Sequence, residues 1–290
     1  MSEEPFRKLP FSSSDTLRKC LLLETSNSCR TLFIASYPKS GTTWTHALVF
    51  HILSDGQLPL DHISLYSPFY EMSKTWDEGS DNIALKYSEN HKILGWRVFN
   101  THLLHSMLPK GDSVRHIYVY RNCRDVAISF FHHLSNQVGD GGVSSSLLQF
   151  LIDWCDGNLL FGTWANHLHG WLKEINGSNK NNILLLRYED MKLDLRSSIS
   201  RVSKFLDHDL ITARLDELTL LLNFESMKSS KHLYQPISVE WKEGFEFLRK
   251  GEVGDSEGHF GPKEELLISK MLEREFPDGL PEWLSSLGVL

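Results

Sequence analysis

The chain has 290 residues, of which 41% are hydrophobic and 23% are charged, so it is long enough to bury a core of ordinary globular composition. Its formal net charge of −7 argues against broad nucleic-acid binding, because proteins of that class present a strongly basic surface. No apolar run approaches the roughly 18 residues of a membrane span, and residues 1–5 lack a signal-peptide core, so we expect a cytoplasmic protein without a membrane partner.

Apolar runs then alternate with helix-like segments along the chain. The predicted strands are Leu32–Ala35, Ile93–Phe99, Ile117–Tyr120 and Ile183–Leu186. The predicted helices are 43–53, Val126–Leu134, Leu147–Cys155, Gly162–Glu174, Leu195–Leu206 and Lys263–Glu275. Continuous apolar strands between helices indicate an α/β fold, a single domain with a parallel central sheet flanked by helices. Ligands of such sheets bind at the carboxyl ends of the strands, where the loops share one edge.

The loop after the first predicted strand has the features of an anion site. It reads YPKSGTTW over residues 37–44 and leads into a predicted helix, whose N-terminal N–H groups attract negative charge. It is not a Walker A loop, because Lys39 precedes the glycine, and this order disfavours a P-loop kinase. Lys39 offers a positive charge, and Ser40, Thr42 and Thr43 offer hydroxyl groups. Gly41 allows a close backbone approach, and Trp44 offers a flat apolar surface.

Two further segments offer cations to a phosphate. Arg121 ends the predicted strand Ile117–Tyr120, and Ser129 follows eight residues later, about two turns into the next helix. An arginine and a hydroxyl group in this arrangement can bind a phosphate through charge-assisted hydrogen bonds. Near the C-terminus, residues 249–255 read RKGEVGD, with two adjacent cations beside a glycine.

In this order, the three segments resemble the nucleotide-binding motifs of the cytosolic sulfotransferase family, which uses 3′-phosphoadenosine-5′-phosphosulfate (PAPS) and releases the desulfated nucleotide (PAP). The resemblance implies a P-loop-like nucleotide-binding core in one domain over 1–290, with an N-terminal extension (1–30) and a covering loop (226–261). It implies that residues 39–44 bind the 5′-phosphosulfate. The residues it assigns to the 3′-phosphate and the adenine are Arg121, Ser129, Arg249, Lys250, Gly251, Trp44, Tyr188, Phe224 and Met227.

The same resemblance implies catalytic roles. His102 follows a predicted strand and matches the catalytic histidine of the family, and its ordinary pKa near 6.5 suits proton acceptance at neutral pH. Lys39 is expected to stabilise the leaving phosphate, and Ser129 to bias where the Lys39 ammonium points. No metal is expected, because a sulfuryl group carries less charge than the phosphoryl group that kinases clamp with Mg²⁺.

Two positions depart from the family pattern. Asn100 stands where the family has a lysine that contacts the transferring group, which keeps open a PAP- or PAPS-binding protein with weak or no transferase activity. The family's dimer patch is altered at Glu257, Gly261 and Pro262, which leaves both a monomer and a different dimer open.

The acceptor pocket is expected to be apolar and aromatic, with His102 at its end. Such a pocket suits a small lipophilic phenol or alcohol, although the sequence does not separate phenols, steroids, aliphatic alcohols and amines. The residues at the family's acceptor positions are Phe69, Tyr70, Asn100, Thr101, His102, Phe130, Phe131 and Phe161.

Overall fold

The structure, a computed structural model, describes residue 16 and residues 30–76, 93–139, 146–175, 177, 180–237 and 239–285. Within these residues one parallel sheet has the strand order β2-β1-β3-β4. The strands are β1 (Thr31–Ser36), β2 (Arg97–Thr101), β3 (Val114–Tyr120) and β4 (Ile183–Arg187). This sheet, with helices packed on it, confirms the predicted α/β fold.

Helices connect and cover the strands. The α-helices of the described residues are α1 (Thr42–Ser54), α2 (Cys123–Ser135), α3 (Leu147–Asp156), α4 (Trp164–Ile175), α5 (Tyr188–Leu193), α6 (Leu195–Phe205), α7 (Thr212–Leu221), α8 (Phe224–Ser229), α9 (Pro262–Glu275) and α10 (Glu282–Ser285). Short 3₁₀ turns lie at Ile63–Leu65, Ser73–Thr75, His105–Met107, Lys180–Asn182 and Lys231–Leu233.

The sheet separates two apolar cores, and every residue of β1 is buried. Phe33 and Ala35 face the core formed with α2, α3, α4 and α9, whereas Leu32 and Ile34 face the core formed with α1, α6 and α7. This burial on both faces explains why β1 reads as a continuous apolar run rather than an alternating one.

Positive φ angles at two glycines explain two differences between the predicted and the observed boundaries. The second strand starts at Arg97 rather than Ile93, because Gly95 has a φ of 68° that an extended strand does not contain. Helix α4 starts at Trp164 rather than Gly162, because Gly162 also has a positive φ, of 69°. The segment 226–261, predicted as a covering loop, contains the end of α8 and the turn at Lys231–Leu233, and its covering role stays a prediction.

The strand order places the site between two neighbouring strands. The chain runs from β1 to the edge strand β2 and returns to β3 on the opposite side of β1. The connections after β1 and β3 therefore diverge at their carboxyl ends, where Ser36 pairs in register with Val119. In open parallel sheets this divergence leaves a crevice in which ligands bind.

Candidate active site

The loop between β1 and α1 forms one wall of this crevice. Lys39 and Gly41 have positive φ angles of 70° and 104°, which turn the backbone sharply before α1 begins at Thr42. A Cβ atom at Gly41 would lie 2.8 Å from Cδ2 of Tyr188, so only glycine fits between this loop and that ring. Ser40 is fully buried, and its Oγ has no hydrogen-bond partner among the described residues. A buried hydroxyl left unpaired fits a bound oxyanion.

Arg121, at the end of β3, forms the opposite wall. Its guanidinium lies 4.3 Å over the Tyr188 ring and donates to the Asp125 carboxylate at 3.3 Å and to the Glu252 carbonyl at 2.9 Å. Its buried Nε has no partner within the described part of the chain. One free donor on a buried cation is suited to a phosphate oxygen.

Residues 239–256, which we call the closing segment, cover the crevice. The Asp125 carboxylate, in the first turn of α2, accepts backbone hydrogen bonds from Gly254 at 2.9 Å and Ser256 at 3.0 Å. This contact ties the closing segment to the first turn of α2. Arg249 and Lys250 both pair with Asp255 inside the segment, Lys250 at 2.6 Å. The cations predicted for a 3′-phosphate therefore lie beside Arg121 but are balanced by a carboxylate.

The predicted adenine residues lie near one another at the outer end of the crevice. The rings of Trp44 and Tyr188 meet edge to face at 5.7 Å, and the Trp44 indole donates to the Leu222 carbonyl at 2.8 Å. Phe224, at the start of α8, packs against Gly251 of the closing segment. Met227 of the same helix is buried in the core behind them. Thr43, in α1, is half-buried.

His102 stands just beyond β2, at the same edge of the sheet. Its Nδ1 lies 2.7 Å from the Ser36 carbonyl, so Nδ1 carries the proton and Nε2 holds the lone pair. The Glu71 carboxylate accepts a hydrogen bond from the His102 backbone N–H at 2.8 Å. Burial lowers the pKa of His102 to about 4, and the nearby Lys39 cation acts in the same direction. The imidazole is therefore neutral at physiological pH.

Lys39 lies under the closing segment. Its Nζ is 3.3 Å from Nδ1 of His133 and 4.4 Å from the centroid of the Phe247 ring. Burial, followed by the neighbouring Arg121 and Arg249, lowers the pKa of Lys39 to about 7. Within the described residues Lys39 is thus hydrogen-bonded to His133, whereas the side chain of the predicted Ser129 makes no hydrogen bond to another described residue.

The predicted acceptor residues divide into two groups. Phe69 and Phe161 flank the His102 ring at 5.3 and 5.2 Å, edge to face, and both are half-buried. Phe161 holds this place with a φ of 71°, an uncommon conformation for a bulky residue. Phe131 is half-buried on α2 and packs on Phe150.

The second group is turned away from the crevice. Tyr70 and Phe130 are buried in the main core, and Thr101 is fully buried with its hydroxyl accepting from the Leu103 N–H. The Asn100 side chain donates to the Ser67 carbonyl at 2.5 Å, and its backbone bridges Phe69. These four residues hold the walls in place, which sequence position alone does not reveal.

Glu71, His133 and Phe247 contact the predicted catalytic groups and were missed by sequence reasoning. Glu71 is fully buried, and burial raises the pKa of its carboxyl to about 7. The sequence did contain a hint of the role of His133, because this residue lies four positions after Ser129 and therefore on the same side of a helix. No sequence pattern distinguishes Phe247 from other aromatic residues.

In the described parts of the chain, no group of three histidine, cysteine, aspartate or glutamate residues is arranged to hold a metal ion. Among the same residues, no helix is both long and apolar enough to cross a bilayer. The altered dimer positions have a local explanation. Gly261 and Pro262 start α9, where a proline in the first turn costs no hydrogen bond, and Glu257 is exposed.

Comparison with known proteins agrees with this geometry. A family model described as "Sulfotransferase domain" matches residues 30–279. The amine sulfotransferase of Oryctolagus cuniculus is 34% identical over 262 residues, which cover 85% of this chain and 81% of that protein. Mouse sulfotransferase SULT7A1 complexed with PAP is 25% identical, with a TM-score of 0.70 and coverage of 92% of this chain and 91% of that chain. Retinol dehydratase complexed with retinol and PAP shares the fold, with a TM-score of 0.70, 22% identity and coverage of 93% and 88%.

Proposed function

This chain belongs to the sulfotransferase family, and we propose that it moves the sulfuryl group of PAPS to the hydroxyl group or amine of a small lipophilic acceptor. One observation carries this proposal. The Ser36 carbonyl fixes Nδ1 of His102 and leaves Nε2 as a lone-pair nitrogen, at the edge of the sheet that also holds the anion loop. A base and an anion site that share one edge are what transfer from an anionic donor requires.

The free donors of the crevice fit an anionic nucleotide. The unpaired Ser40 hydroxyl and the unpaired Arg121 Nε are buried on its two walls, and Gly41 and Gly251 leave no room for a side chain where the backbone comes close to an aromatic ring. When bound, PAPS supplies the sulfuryl group and a phosphate leaving group. We propose that residues 39–44 hold the 5′ end, that Arg121, Ser129, Arg249, Lys250 and Gly251 hold the 3′-phosphate, and that Trp44, Tyr188, Phe224 and Met227 surround the base.

His102 acts as the general base in this proposal. Its Nε2 removes the proton from the acceptor hydroxyl as that oxygen attacks sulfur, and the proton stays on the imidazole. The Ser36 carbonyl holds the tautomer that the step needs. The Glu71 carboxylate holds the backbone of the same residue, which restricts where the ring points.

Lys39 stabilises the charge on the leaving phosphate. Its ammonium lies in a site shielded by Phe247, where a positive charge acts more strongly than in water. Burial also lowers the pKa of Lys39 to about 7, so part of the lysine is neutral above that pH. The charge that helps transfer is therefore pH-dependent.

We assign the acceptor to the space beside His102. Phe69 and Phe161 stand on either side of the imidazole and offer ring edges to a flat or lipophilic molecule. The related proteins named above include an amine sulfotransferase and an enzyme that binds retinol, which supports a small acceptor. Phe131 would extend the same surface. A metal-free reaction and a cytoplasmic location stay predictions.

Asn100 favours a second candidate, a protein that binds PAP without transferring sulfate. Its side chain donates a hydrogen bond to the Ser67 carbonyl at 2.5 Å and adds no charge to the crevice. The remaining cations of the crevice would still bind a nucleotide. Tight binding of PAP with no transfer to any acceptor would favour this second candidate.

The test is transfer of labelled sulfate from PAPS to a panel of phenols, sterols, aliphatic alcohols and amines, with no metal added. His102→Ala is compared with His232→Ala, an exposed histidine in the turn at Lys231–Leu233. We expect the native chain and His232→Ala to be active and His102→Ala to lose at least about 100-fold in kcat. Equal activity in the two variants would contradict the assignment of His102 as the base.

A further inference from the structure

The position of Lys39 depends on a residue that sequence reasoning did not place in the site. The Lys39 Nζ donates to Nδ1 of His133 at 3.3 Å, while Ser129, one turn earlier on α2, makes no bond to the lysine. An ammonium can only donate hydrogen bonds, so Nδ1 of His133 must carry a lone pair and no proton. Burial, together with the Lys39 cation, holds the pKa of His133 well below its usual range, which agrees with that form.

His133 is itself held from two sides. It lies in the last turn of α2, and the ring of Trp241 meets its imidazole edge to face at 4.8 Å. Trp241 in turn pairs with Gln137 just beyond α2, and the Lys242 N–H donates to the Asn136 carbonyl at 2.9 Å. The imidazole is therefore packed between α2 and the closing segment, which restricts its rotation.

Lys39 needs such a partner because its other neighbours oppose its charge. Burial and the cations Arg121 and Arg249 favour the neutral amine. The remaining groups that face the lysine are His102, which is neutral, and the Phe247 ring at 4.4 Å. A neutral nitrogen that accepts from the ammonium and a ring face beneath it are thus the contacts that favour the charged form.

We propose that His133 is a positioning residue, which keeps Lys39 protonated and aimed at the sulfuryl-transfer position by accepting its hydrogen bond. The inference rests on the proposed function, since it gives a reason for the lysine to be charged there. It adds to the sequence-based expectation, in which Ser129 biases where the lysine points. Because Trp241 of the closing segment packs against His133, the protonated fraction of Lys39 also depends on that segment.

The test measures the pKa of Lys39 directly, by NMR of ¹³Cε-labelled lysine in the nucleotide-free protein. The Lys39 signal is assigned by its absence in Lys39→Arg. His133→Phe keeps a flat ring against Trp241 but removes the acceptor, whereas His133→Asn restores an acceptor oxygen. We expect the Lys39 pKa to fall by about one in His133→Phe, because a hydrogen bond to a charged group is lost, and to recover in His133→Asn.

A structural role for His133 would not give this pattern. An unchanged Lys39 pKa in His133→Phe, or an equal fall in both variants, would overturn the inference. The pH profile of sulfate transfer gives a second readout, in which we expect the alkaline loss of activity to move to lower pH in His133→Phe alone. If the native chain transfers no sulfate while the Lys39 pKa still responds to His133, the proposed function fails and the contact between the two residues stands.

Discussion

The ring of Phe224 occupies the space that a side chain at position 251 would need. A Cβ atom at Gly251 would lie 2.2 Å from both Cδ2 and Cε2 of that ring, far inside van der Waals contact. Helix α8 and the closing segment therefore meet through a glycine and an aromatic face. The same two elements are also joined by Lys228 of α8, which donates to the Arg249 carbonyl at 3.2 Å.

We predict that Gly251→Ala weakens PAP binding by at least about tenfold, because the methyl group must push Phe224 away from the base. Gly258→Ala is the matched control. Gly258 has a φ of 76°, close to the 63° of Gly251, but no atom lies within 4 Å of its would-be Cβ. In both variants the left-handed backbone conformation should lower the unfolding free energy by about 1 kcal/mol. Titration calorimetry with PAP should show weaker binding in Gly251→Ala alone. Similar PAP affinities would contradict the prediction.

We predict that Asp125→Ala lowers the unfolding free energy by about 3 kcal/mol, because it leaves Arg121 buried beside no carboxylate and two backbone N–H groups without an acceptor. Asp216→Ala removes a carboxylate from an exposed pair with Arg196 and should cost less than about 1 kcal/mol. Urea unfolding measures both values. A loss for Asp125→Ala no larger than for Asp216→Ala would show that the closing segment is not held by this carboxylate.

Asn100→Lys tests the departure from the family pattern. We predict a change in kcat, because a lysine side chain freed from Ser67 can extend a cation into the crevice, and a loss of about 1 kcal/mol of stability, because the Ser67 carbonyl loses its donor. Asn100→Asp is the companion variant, since it loses the donor without adding a cation. Steady-state kinetics and thermal unfolding are measured on both. If kcat and KM stay unchanged in Asn100→Lys, the side chain at this position does not reach the transferring group.

The pH dependence of kcat/KM should be bell-shaped, with activity lost below about pH 4 and above about pH 7. His102 must be neutral to accept a proton and has a pKa of about 4, while Lys39 must be protonated and has a pKa of about 7. Lys39→Arg keeps its charge at all these pH values, so the alkaline loss should disappear in whatever activity remains. An alkaline loss that persists in Lys39→Arg would assign that limb to another group.

The parts of the fold that sequence reasoning predicted are those with a strong, local signal. The strands β1 and β4 and the last four residues of β3 read as continuous apolar runs because both faces of the sheet are covered, and the loops after β1 and β3 carry short polar motifs. The start of β2 was predicted four residues early, since Ile93 and Leu94 are apolar and only the backbone of Gly95 ends the pattern. Helices α5, α8 and α10 have six residues or fewer and were not predicted, and the ten-residue α7 was missed as well.

Sequence reasoning could place a site residue where its position followed directly from the predicted secondary structure. His102 and Arg121 end strands, so their placement at the carboxyl edge follows from the sheet. The hydrogen bond of Asn100 was not predictable, because Ser67 lies 33 positions away in the chain. The bond from Lys39 to His133 spans 94 positions, and its one sequence signal was the spacing of His133 from Ser129 on one side of a helix. Contacts at such separations depend on packing that no local motif encodes.

Helix α2 gives the site a fixed internal spacing. Arg121, just before the helix, and Asp125, Ser129 and His133 within it recur every four residues. The cation that we propose for the 3′-phosphate, the anchor of the closing segment and the partner of Lys39 therefore follow one another along one side. The three residues within the helix span about 12 Å of a single rigid rod. One residue inserted between Asp125 and His133 would turn the imidazole about 100° away from the lysine while the anchor stayed in place. Exchanging one side chain on this helix alters one contact, whereas a change in the length of the helix would misalign the two ends of the crevice relative to each other.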